Sequence, residues 1–309
     1  MRASTTPRVP PRIGEAGLSM RDPCPAVPLG VESRAASALT LFGPRSLLVL
    51  TGLTVVAAVF MFSCGDAPTA DSQSSTGARP GEIVVSAAAD LSPVLAELAS
   101  LFEKETGLTV KTNLGSTGQL TEQIAAGARV DVFLAASTAA IDQLGQKGLL
   151  VPGSDQTYGR GRLVMWTRPG SSVRAKTLQD LTAPEVKRIS LANPDHAPYG
   201  KAAREALQSA GIWDALQPKL VPAENVRQAF QFAETGNVDV GLVAMSLVAF
   251  AGGSYAPVPE ELYEPINQVL AIVAGSSHQS EAKQFVAFLT GSKGREILQK
   301  YGFVLPDGD

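Results

Sequence analysis

From residue 82 onwards, short apolar runs alternate with amphipathic stretches, and this alternation constrains the fold more than any other feature of the sequence. The first run, EIVVSAAA (82–89), lies between Gly81 and Asp90 and is typical of a buried strand. In the next stretch, 93–106, apolar residues recur at helical spacing and Gly107 follows. Alternation of this kind predicts an α/β fold, in which mainly parallel sheets are flanked by helices. We predict strands over 82–89, 108–114, 130–136, 163–167, 189–193, 238–244 and 268–274, and helices over 93–106, 138–147, 199–211 and 223–235, with one more ending near Ala126 and two between 279 and 301.

The part of the chain in which strands and helices alternate is long for a single hydrophobic core. It has about 230 residues, near the upper limit for a single hydrophobic core, so two α/β lobes are expected. We predict that the chain leaves the first lobe near Arg162 and returns to it near Ala271. The first lobe then comprises 81–161 plus 271–309, and the second comprises 162–270.

The N-terminal part has the features of an export leader. Residues 46–62 form a long apolar run, SLLVLTGLTVVAAVFMF, and Arg45 precedes it, as in a secretory signal. The Ser-Cys-Gly sequence around Cys64 resembles the site at which bacterial lipoproteins are cleaved and lipidated. We therefore expect a lipid on Cys64; a plain membrane anchor or an uncleaved signal is the alternative. We assign 1–64 to the leader and 65–80, rich in Ser, Thr, Pro and Ala, to a flexible tether outside the cytoplasm.

Charge and composition exclude several classes of function. The chain has 26 Lys and Arg against 29 Asp and Glu, and residues 1–63 hold six of the basic and three of the acidic ones, which leaves the rest at −6. Nucleic acid is not an expected partner, because phosphate contacts need clustered cations. With two Cys and two His in all, neither a four-ligand zinc site nor a disulfide framework is expected. We predict no cofactor and no bound metal cation.

The sequence lacks the common signatures of nucleophile and nucleotide chemistry. There is no G-x-S-x-G, no G-x-x-x-x-G-K-[ST] and no G-x-G-x-x-G after a strand, so we expect a binding protein and not an enzyme. Of the two histidines, His196 is interpreted as a loop-packing residue and His278 as solvated. Tyr255 and Tyr263 flank a Pro-rich loop and are interpreted as surface or hinge residues.

Three strand-to-helix junctions have the chemistry of anion capture. They are the loops 87–93 (AAADLSP), 115–118 (GSTG) and 193–200 (NPDHAPYG). In open parallel sheets, ligands bind beyond the carboxyl ends of the strands, where a helix N-terminus offers free N–H groups and a partial positive charge. An oxyanion can be bound there without Lys or Arg. We expect the three loops to meet at one site; ordinary helix caps are the alternative for each loop taken alone.

The same loops carry a resemblance to a known family. Together with two further motifs, they resemble sequences of the periplasmic molybdate-binding proteins of ABC transporters, from Ile83 to Phe303. The resemblance implies a two-lobed periplasmic-binding-protein fold of type II, with a tetrahedral oxyanion bound between the lobes and delivered to a membrane permease. We expect a monomer. The motifs that carry the resemblance are AAADL, GSTGQL, PDHAPYGKAAREAL, AENVRQA and YGF.

The resemblance also implies a set of ligand positions. Thr117, with Ser116 beside it, keeps the hydroxyl donors of the family, and Tyr199 and Val226 are expected to donate their backbone N–H groups. The family's Tyr hydroxyl is missing at Ala244. We hypothesise that the Tyr199 phenol replaces it; packing at the lobe interface is the alternative role.

Asp90 is a second departure from the family pattern, which commonly has Ser there. An ionised carboxylate cannot donate to an anion and repels it, so we expect the Asp90 side chain to turn away and cap its helix while its backbone N–H binds. The remaining donors suit molybdate or tungstate, which are dianions without a proton. An inward Asp90 favours a protonated oxyanion such as phosphate or arsenate. Sulfate, and a sensing lobe pair without transport, are further alternatives.

Overall fold

Two five-stranded sheets, each flanked by helices, make up the part of the chain that the computed structural model describes, residues 81–306. The predicted leader, the tether and the lipid site at Cys64 lie outside these residues. The strands are β1 Glu82–Ala88, β2 Thr109–Gly115, β3 Val132–Ala135, β4 Gln156–Gly161, β5 Leu163–Thr167, β6 Ile189–Ala192, β7 Leu220–Ala223, β8 Val240–Ala244, β9 Ser254–Pro257 and β10 Ile266–Ile272. The helices are α1 Ser92–Thr106, α2 Thr117–Ala125, α3 Thr138–Gln146, α4 Pro198–Ser209, α5 Trp213–Leu216, α6 Val226–Glu234, α7 Met245–Val248, α8 Gln279–Thr290 and α9 Ser292–Lys300.

The two sheets share one topology. Their strand orders are β2-β1-β3-β10-β4 and β7-β6-β8-β5-β9. In each sheet three neighbouring strands are parallel, the fourth runs against them and the fifth runs against the fourth. Most strands of each sheet therefore point the same way, which confirms the predicted α/β fold with mainly parallel sheets.

The register of the parallel strands brings their ends together. Ala88 at the end of β1 is paired with Gly115 at the end of β2, and Ala192 of β6 is paired with Ala223 of β7. The loops that follow these strands are therefore neighbours within each sheet. This edge of a parallel sheet is where ligands bind in open α/β folds.

The chain crosses between the sheets twice. Arg162 alone separates β4 from β5, and its Nε donates to the carbonyl of Gly302 at 3.0 Å. The second crossing, 258–265, leads into β10. Because β10 belongs to the first sheet, the chain is back there at Ile266, earlier than the return predicted near Ala271.

The structure also gives the positions of Tyr263, Tyr255 and His278, whose roles were interpreted from the sequence. Tyr263 is buried in the second crossing, where its hydroxyl accepts the backbone N–H of Leu163 at 3.2 Å, so it is not a surface residue, and its role as a hinge stays a prediction. Tyr255 is 51% exposed. His278 was predicted to be solvated, but it is mostly buried, with Nδ1 3.3 Å from Asp131 Oδ1. The prediction is wrong because the Ser276 hydroxyl, 2.6 Å from the same carboxylate, fixes this turn against the protein.

Sequence reasoning missed three strands, β4, β7 and β9. Each is the edge of a sheet, so each is paired on one side only and leaves much of its length exposed. Two of their sequences, QTYGRG and SYAP, carry no apolar run, and in the third, LVPA, Pro222 interrupts a run of only four residues. The helix predicted over 223–235 accordingly begins after β7, at Val226, with Asn225 as its cap.

The C-terminal helices complete the first half of the molecule. α8 and α9 pack against α1, where the rings of Phe102 and Phe285 meet edge to face with centroids 5.3 Å apart. Within residues 81–306, no helix combines the length and the apolar character that a bilayer span requires.

Candidate functional site

The turn after β1 and the starts of α2, α4 and α6 meet at one small pocket between the two sheets. The pocket is small: the centre of a water molecule can occupy only about 10 Å³ of it, so it has room for about one water molecule. The structure thus brings the three predicted loops and the start of α6 to one place. The predicted site residues that line the pocket are Asp90, Ser116, Thr117, Tyr199 and Val226.

The start of α2 contributes two hydroxyl groups. Ser116 caps the helix, since its Oγ accepts from the backbone N–H of Gln119 at 3.4 Å, and the same Oγ lies 2.8 Å from His196 Nδ1. The Thr117 Oγ1 accepts from the backbone N–H of Ala136 at 3.1 Å. That bond uses the oxygen of Thr117 and leaves its proton for a ligand.

The starts of α4 and α6 contribute backbone donors. α4 begins with Pro198, which suits a first turn, and Asn225 caps α6 by accepting from the backbone N–H of Gln228 at 3.0 Å. First-turn N–H groups have no partner within their own helix, and helix N-termini carry a partial positive charge. The N–H groups of Tyr199 and Val226 belong to these turns.

The contacts of the Asp90 side chain differ from those predicted. The side chain is fully buried and makes no capping hydrogen bond; its Oδ2 accepts from the Tyr199 hydroxyl at 3.0 Å and from Gln268 Nε2 at 2.9 Å. Burial raises the pKa of this carboxyl to about 6. Within residues 81–306, its Oδ1 has no hydrogen-bond partner. The expected capping role is wrong because donors from α4 and β10, distant in sequence, reach the carboxylate instead.

The Tyr199 phenol is committed to this carboxylate. Its hydroxyl donates to Asp90 Oδ2, so its one proton is not free for a ligand in this arrangement. Ala244 is buried and offers no polar group, but the hydroxyl of nearby Ser246 donates to the backbone carbonyl of Asp90 at 2.8 Å. The geometry therefore favours the alternative role of Tyr199, packing at the lobe interface.

A buried polar chain supports Asp90 and was missed from the sequence. The Tyr158 hydroxyl donates to Gln268 Oε1 at 3.0 Å, and Gln268 Nε2 in turn donates to Asp90. Gln268 is fully buried, and a bulge in β10 follows it. An amide within the apolar run QVLAIVA is the signal that could have identified this residue, because a buried amide needs partners.

His196 joins the two halves of the molecule beside the pocket. Its carbonyl accepts from the N–H of Gly118 at 2.9 Å, and its ring contacts Ser116. It is a packing residue, as interpreted, but it packs against α2 of the other half. Arg227 makes a further contact across the interface, donating to Ser92 Oγ at 2.8 Å.

The pocket is polar without being cationic. No Lys or Arg of the described residues lines it, and Lys201 in the adjoining groove is paired with Glu264 at 2.6 Å and with Glu205 at 3.3 Å. Residues 81–306 hold no group of three or more His, Cys, Asp or Glu that could bind a metal ion. Apart from Asp90, the polar groups are N–H and O–H donors, which is the chemistry of an oxyanion site.

Comparison with known proteins agrees with this fold. A family model described as bacterial extracellular solute-binding protein matches residues 83–304. The chain belongs to this family. Its members are binding proteins by description, which agrees with the absence of catalytic signatures from the sequence.

Named relatives of this solute-binding protein include proteins described by their ligand. The molybdate-binding protein ModA of Rhodobacter capsulatus is 38% identical over 228 residues, which are 74% of this chain and 90% of the relative. The putative ABC transporter substrate-binding lipoprotein YvgL of Bacillus subtilis (strain 168) is 31% identical over 75% of this chain and 90% of its own. Among solved structures, the periplasmic molybdate-binding protein of Azotobacter vinelandii is 33% identical with a TM-score of 0.69, covering 73% of this chain and all of that one.

Proposed function

We propose that this protein binds molybdate, or tungstate, outside the cytoplasm and delivers it to the permease of an ABC transporter. It acts as a monomeric binding protein and not as an enzyme. The observation that carries the proposal is the pocket at which the starts of α2, α4 and α6 meet the turn after β1 with N–H and O–H donors and no lining Lys or Arg among the described residues. The names of two relatives point to the same ligand.

The donor set suits a doubly charged ion without protons. The proposed donors are the backbone N–H groups of Asp90, Tyr199 and Val226 and the hydroxyls of Ser116 and Thr117. All oxygens of molybdate are acceptors at neutral pH, so a donor leaves none of them facing another lone pair. Hydrogen bonds to such an anion are charge-assisted and about twice as strong as neutral ones. The pocket has room for about one water molecule, so it has to widen to admit any oxyanion, and it has to widen less for a compact ion than for an organic anion.

A panel of anions tests the ligand. Thermal unfolding is followed with molybdate, tungstate, sulfate, phosphate and arsenate at equal concentrations, and each shift is checked by isothermal titration calorimetry. A true ligand at 100 times its Kd adds about 2.7 kcal/mol of stability. We expect molybdate and tungstate to stabilise the protein and sulfate to leave it unchanged. A shift with another anion and none with these two contradicts the proposal.

Phosphate or arsenate is the second candidate, and one observation favours it. Asp90 lines the pocket, and within residues 81–306 its Oδ1 lacks a partner. A carboxylate oxygen can accept the proton of a protonated oxyanion. Binding of phosphate in the panel, tighter than molybdate, would support this candidate.

Two variants of one residue test the site. Thr117→Val keeps the shape and removes the hydroxyl, while Thr117→Ser keeps the hydroxyl. A hydrogen bond to a charged group contributes about 1.5–3 kcal/mol, so Thr117→Val is expected to weaken molybdate binding roughly 10- to 150-fold and Thr117→Ser to preserve it. Because the Val variant leaves the Ala136 N–H unpaired, unfolding without ligand is measured in parallel. Equal affinity of both variants removes Thr117 from the site.

We also propose that two lobes close over the ligand. The lobes comprise 81–161 plus 266–309 and 162–265, and they turn about the two crossings of the chain. Hydrogen bonds across the interface at Gly118, Tyr199 and Ser246 support this arrangement. Small-angle X-ray scattering is expected to give a smaller radius of gyration with molybdate than without it. An unchanged radius contradicts closure.

A lipid on Cys64 is proposed as the membrane tether. The supporting observations are the Ser-Cys-Gly sequence after the apolar run and a relative described as a lipoprotein. Cells fed labelled palmitate are expected to label the wild type and Cys24→Ser but not Cys64→Ser, which is also released from the membrane fraction. Labelling of Cys64→Ser contradicts the assignment.

A further inference from the structure

We propose that Asp90 takes up a proton when the oxyanion binds, so that its Oδ1 becomes an O–H donor to the ligand. The inference rests on the proposed function, because it concerns the same pocket. It adds a proton to the binding reaction: carboxylate, proton and dianion enter, and a carboxylic acid hydrogen-bonded to the dianion results. A residue that opposes the ligand when ionised thereby becomes one of its donors.

The first step of the argument is which carboxyl oxygen is occupied. Oδ2 accepts from the Tyr199 hydroxyl at 3.0 Å and from Gln268 Nε2 at 2.9 Å. The orientation of Gln268 is fixed by its other end, where Oε1 accepts from the Tyr158 hydroxyl at 3.0 Å. Both donors of this chain point towards Oδ2. The proton that Asp90 takes up therefore belongs on Oδ1.

The second step is the position of Oδ1. Asp90 is one of the residues that line the pocket, and its side chain is fully buried. Within residues 81–306, Oδ1 makes no hydrogen bond of normal geometry, although the backbone N–H groups of Asp90 and Leu91 lie close enough to the carboxyl to lower its pKa slightly against the larger effect of burial. A buried charged oxygen without a partner is costly, and most such groups in proteins are paired. A ligand oxygen in the pocket provides the missing partner, provided that Oδ1 carries a proton.

The third step is the charge around Asp90. The tyrosines that touch this polar chain are neutral, since burial raises the pKa of both Tyr158 and Tyr199 well above 10. Burial without a compensating cation is also what raises the pKa of Asp90 to about 6. A dianion placed beside the carboxyl raises it further, because like charges disfavour ionisation. His196 contacts Ser116 beside the pocket, so the experiment also has to separate it from Asp90.

Among the described residues, no charged side chain on the neighbouring elements forms a hydrogen bond or an ion pair with Asp90. Arg227 of α6 donates to Ser92. Lys201 of α4 is paired with two glutamates, and Glu97 of α1 is paired with Lys300 at 2.8 Å. α7 and β10 carry no charged residue. The charged residues that complete the set on these elements are Arg160 on β4, Arg204 and Glu205 on α4, Glu234 on α6, and Glu103, Lys104 and Glu105 on α1.

The proposal predicts a measurable proton stoichiometry. With the free carboxyl titrating near pH 6, binding at pH 7 takes up about 0.9 proton and binding at pH 5 about 0.1. Above pH 7 the affinity for molybdate weakens about tenfold for each pH unit, as long as the bound form stays protonated.

Isothermal titration calorimetry with sodium molybdate tests this directly. The enthalpy is measured at pH 7 in PIPES and in imidazole, whose ionisation enthalpies differ, and the difference gives the number of protons taken up. Asp90→Asn offers an amide N–H in place of the O–H, so it is expected to bind molybdate with no uptake and with a flat pH profile. Asp131→Asn removes another buried carboxylate, away from the pocket, and is expected to retain the uptake.

Each outcome separates the inference from the proposed function. If the wild type does not bind molybdate, the proposed function fails. If it binds without proton uptake at pH 7, the function stands and the inference fails. If Asp90→Asn binds and still takes up a proton, the proton goes elsewhere, for example to His196, and the inference fails again. If Asp90→Asn does not fold, proton uptake by the wild type is measured at pH 5 and compared with that at pH 7. Equal proton uptake at the two pH values also overturns the inference.

Discussion

Gly118 provides a test of closure that leaves every polar group of the site in place. Its N–H donates to the carbonyl of His196 across the interface at 2.9 Å, and a Cβ at this position would lie 2.7 Å from that carbonyl oxygen and 3.0 Å from the His196 Cβ. Ordinary contacts of this kind begin at 3.4 Å. Gly118→Ala therefore forces the two halves apart by about 0.7 Å, which stretches the hydrogen bond to about 3.6 Å and breaks it.

The expected loss follows from these distances. One hydrogen bond is worth about 0.5–1.5 kcal/mol, and the disturbed contact between Ser116 and His196 brings the expected loss to about 1–2 kcal/mol, so molybdate affinity is expected to fall roughly 5- to 30-fold. Stability without ligand is expected to hold or rise in an open form, because Ala is a better helix former than Gly by about 1 kcal/mol. The measurements are calorimetric Kd and thermal unfolding of the free protein.

Gly145→Ala is the matched control for this variant. Gly145 also lies in a helix, α3, and a Cβ there meets nothing within 4 Å. The control is expected to keep the wild-type Kd. A Kd for Gly118→Ala within twofold of the control would refute the reasoning, since the ligand-bound form would then tolerate a methyl group between the halves.

Two further predictions concern the buried carboxyl without ligand. The pKa of Asp90 is raised from 3.8 to about 6 on folding, so its contribution to stability is fully present below about pH 4 and is lost as the pH rises through 6; the total is about 3 kcal/mol. Urea unfolding measures this: between pH 4 and pH 7.5, the free energy of unfolding of the wild type is expected to fall by this amount relative to that of Asp90→Asn. If the difference between the two free energies stays constant over this range, the assignment is contradicted. Tyr199→Phe removes a donor to the carboxylate and is expected to lower the free energy of unfolding by about 1–3 kcal/mol at pH 8 and by less at pH 5, where the carboxyl is largely protonated. An equal loss at both pH values would mean that the phenol serves packing alone.

Most of the strands that the sequence predicts are buried, and the exception is the edge strand β2. Strands such as β1, β3 and β8 lie within their sheets and are apolar along their whole length or most of it, so their runs are visible in the sequence. The edge strands β4, β7 and β9 are half solvated; β4 and β9 have no apolar run, and Pro222 interrupts the short one in β7. β10 begins two residues before its predicted start at 268, because the polar Asn267 separates Ile266 from the apolar run.

The residues of the candidate site also fall into those that the sequence could predict and those that it could not. Ser116 and Thr117 could be named because a residue at a strand-to-helix junction has its position set by local chain direction, whereas Val226 was named only through the family resemblance. Asp90 could be named as a departure from the family pattern, but its partners could not. Tyr199 and Gln268 are 109 and 178 residues away in the sequence, and only the packing of α4 and β10 brings them to the carboxylate.

The local sequence therefore determined the alternation of strands and helices, the places where helices start and the kind of hydrogen-bond donor at each start. These features depend on residues within one or two turns of each other along the chain. The tertiary structure alone decided what happens to the charge of Asp90. Desolvation and hydrogen bonding depend on which atoms surround a group in space, and here those atoms come from both lobes. A carboxylate that local sequence assigns to a helix cap is instead held by a phenol and an amide, beside the pocket where the anion is proposed to bind.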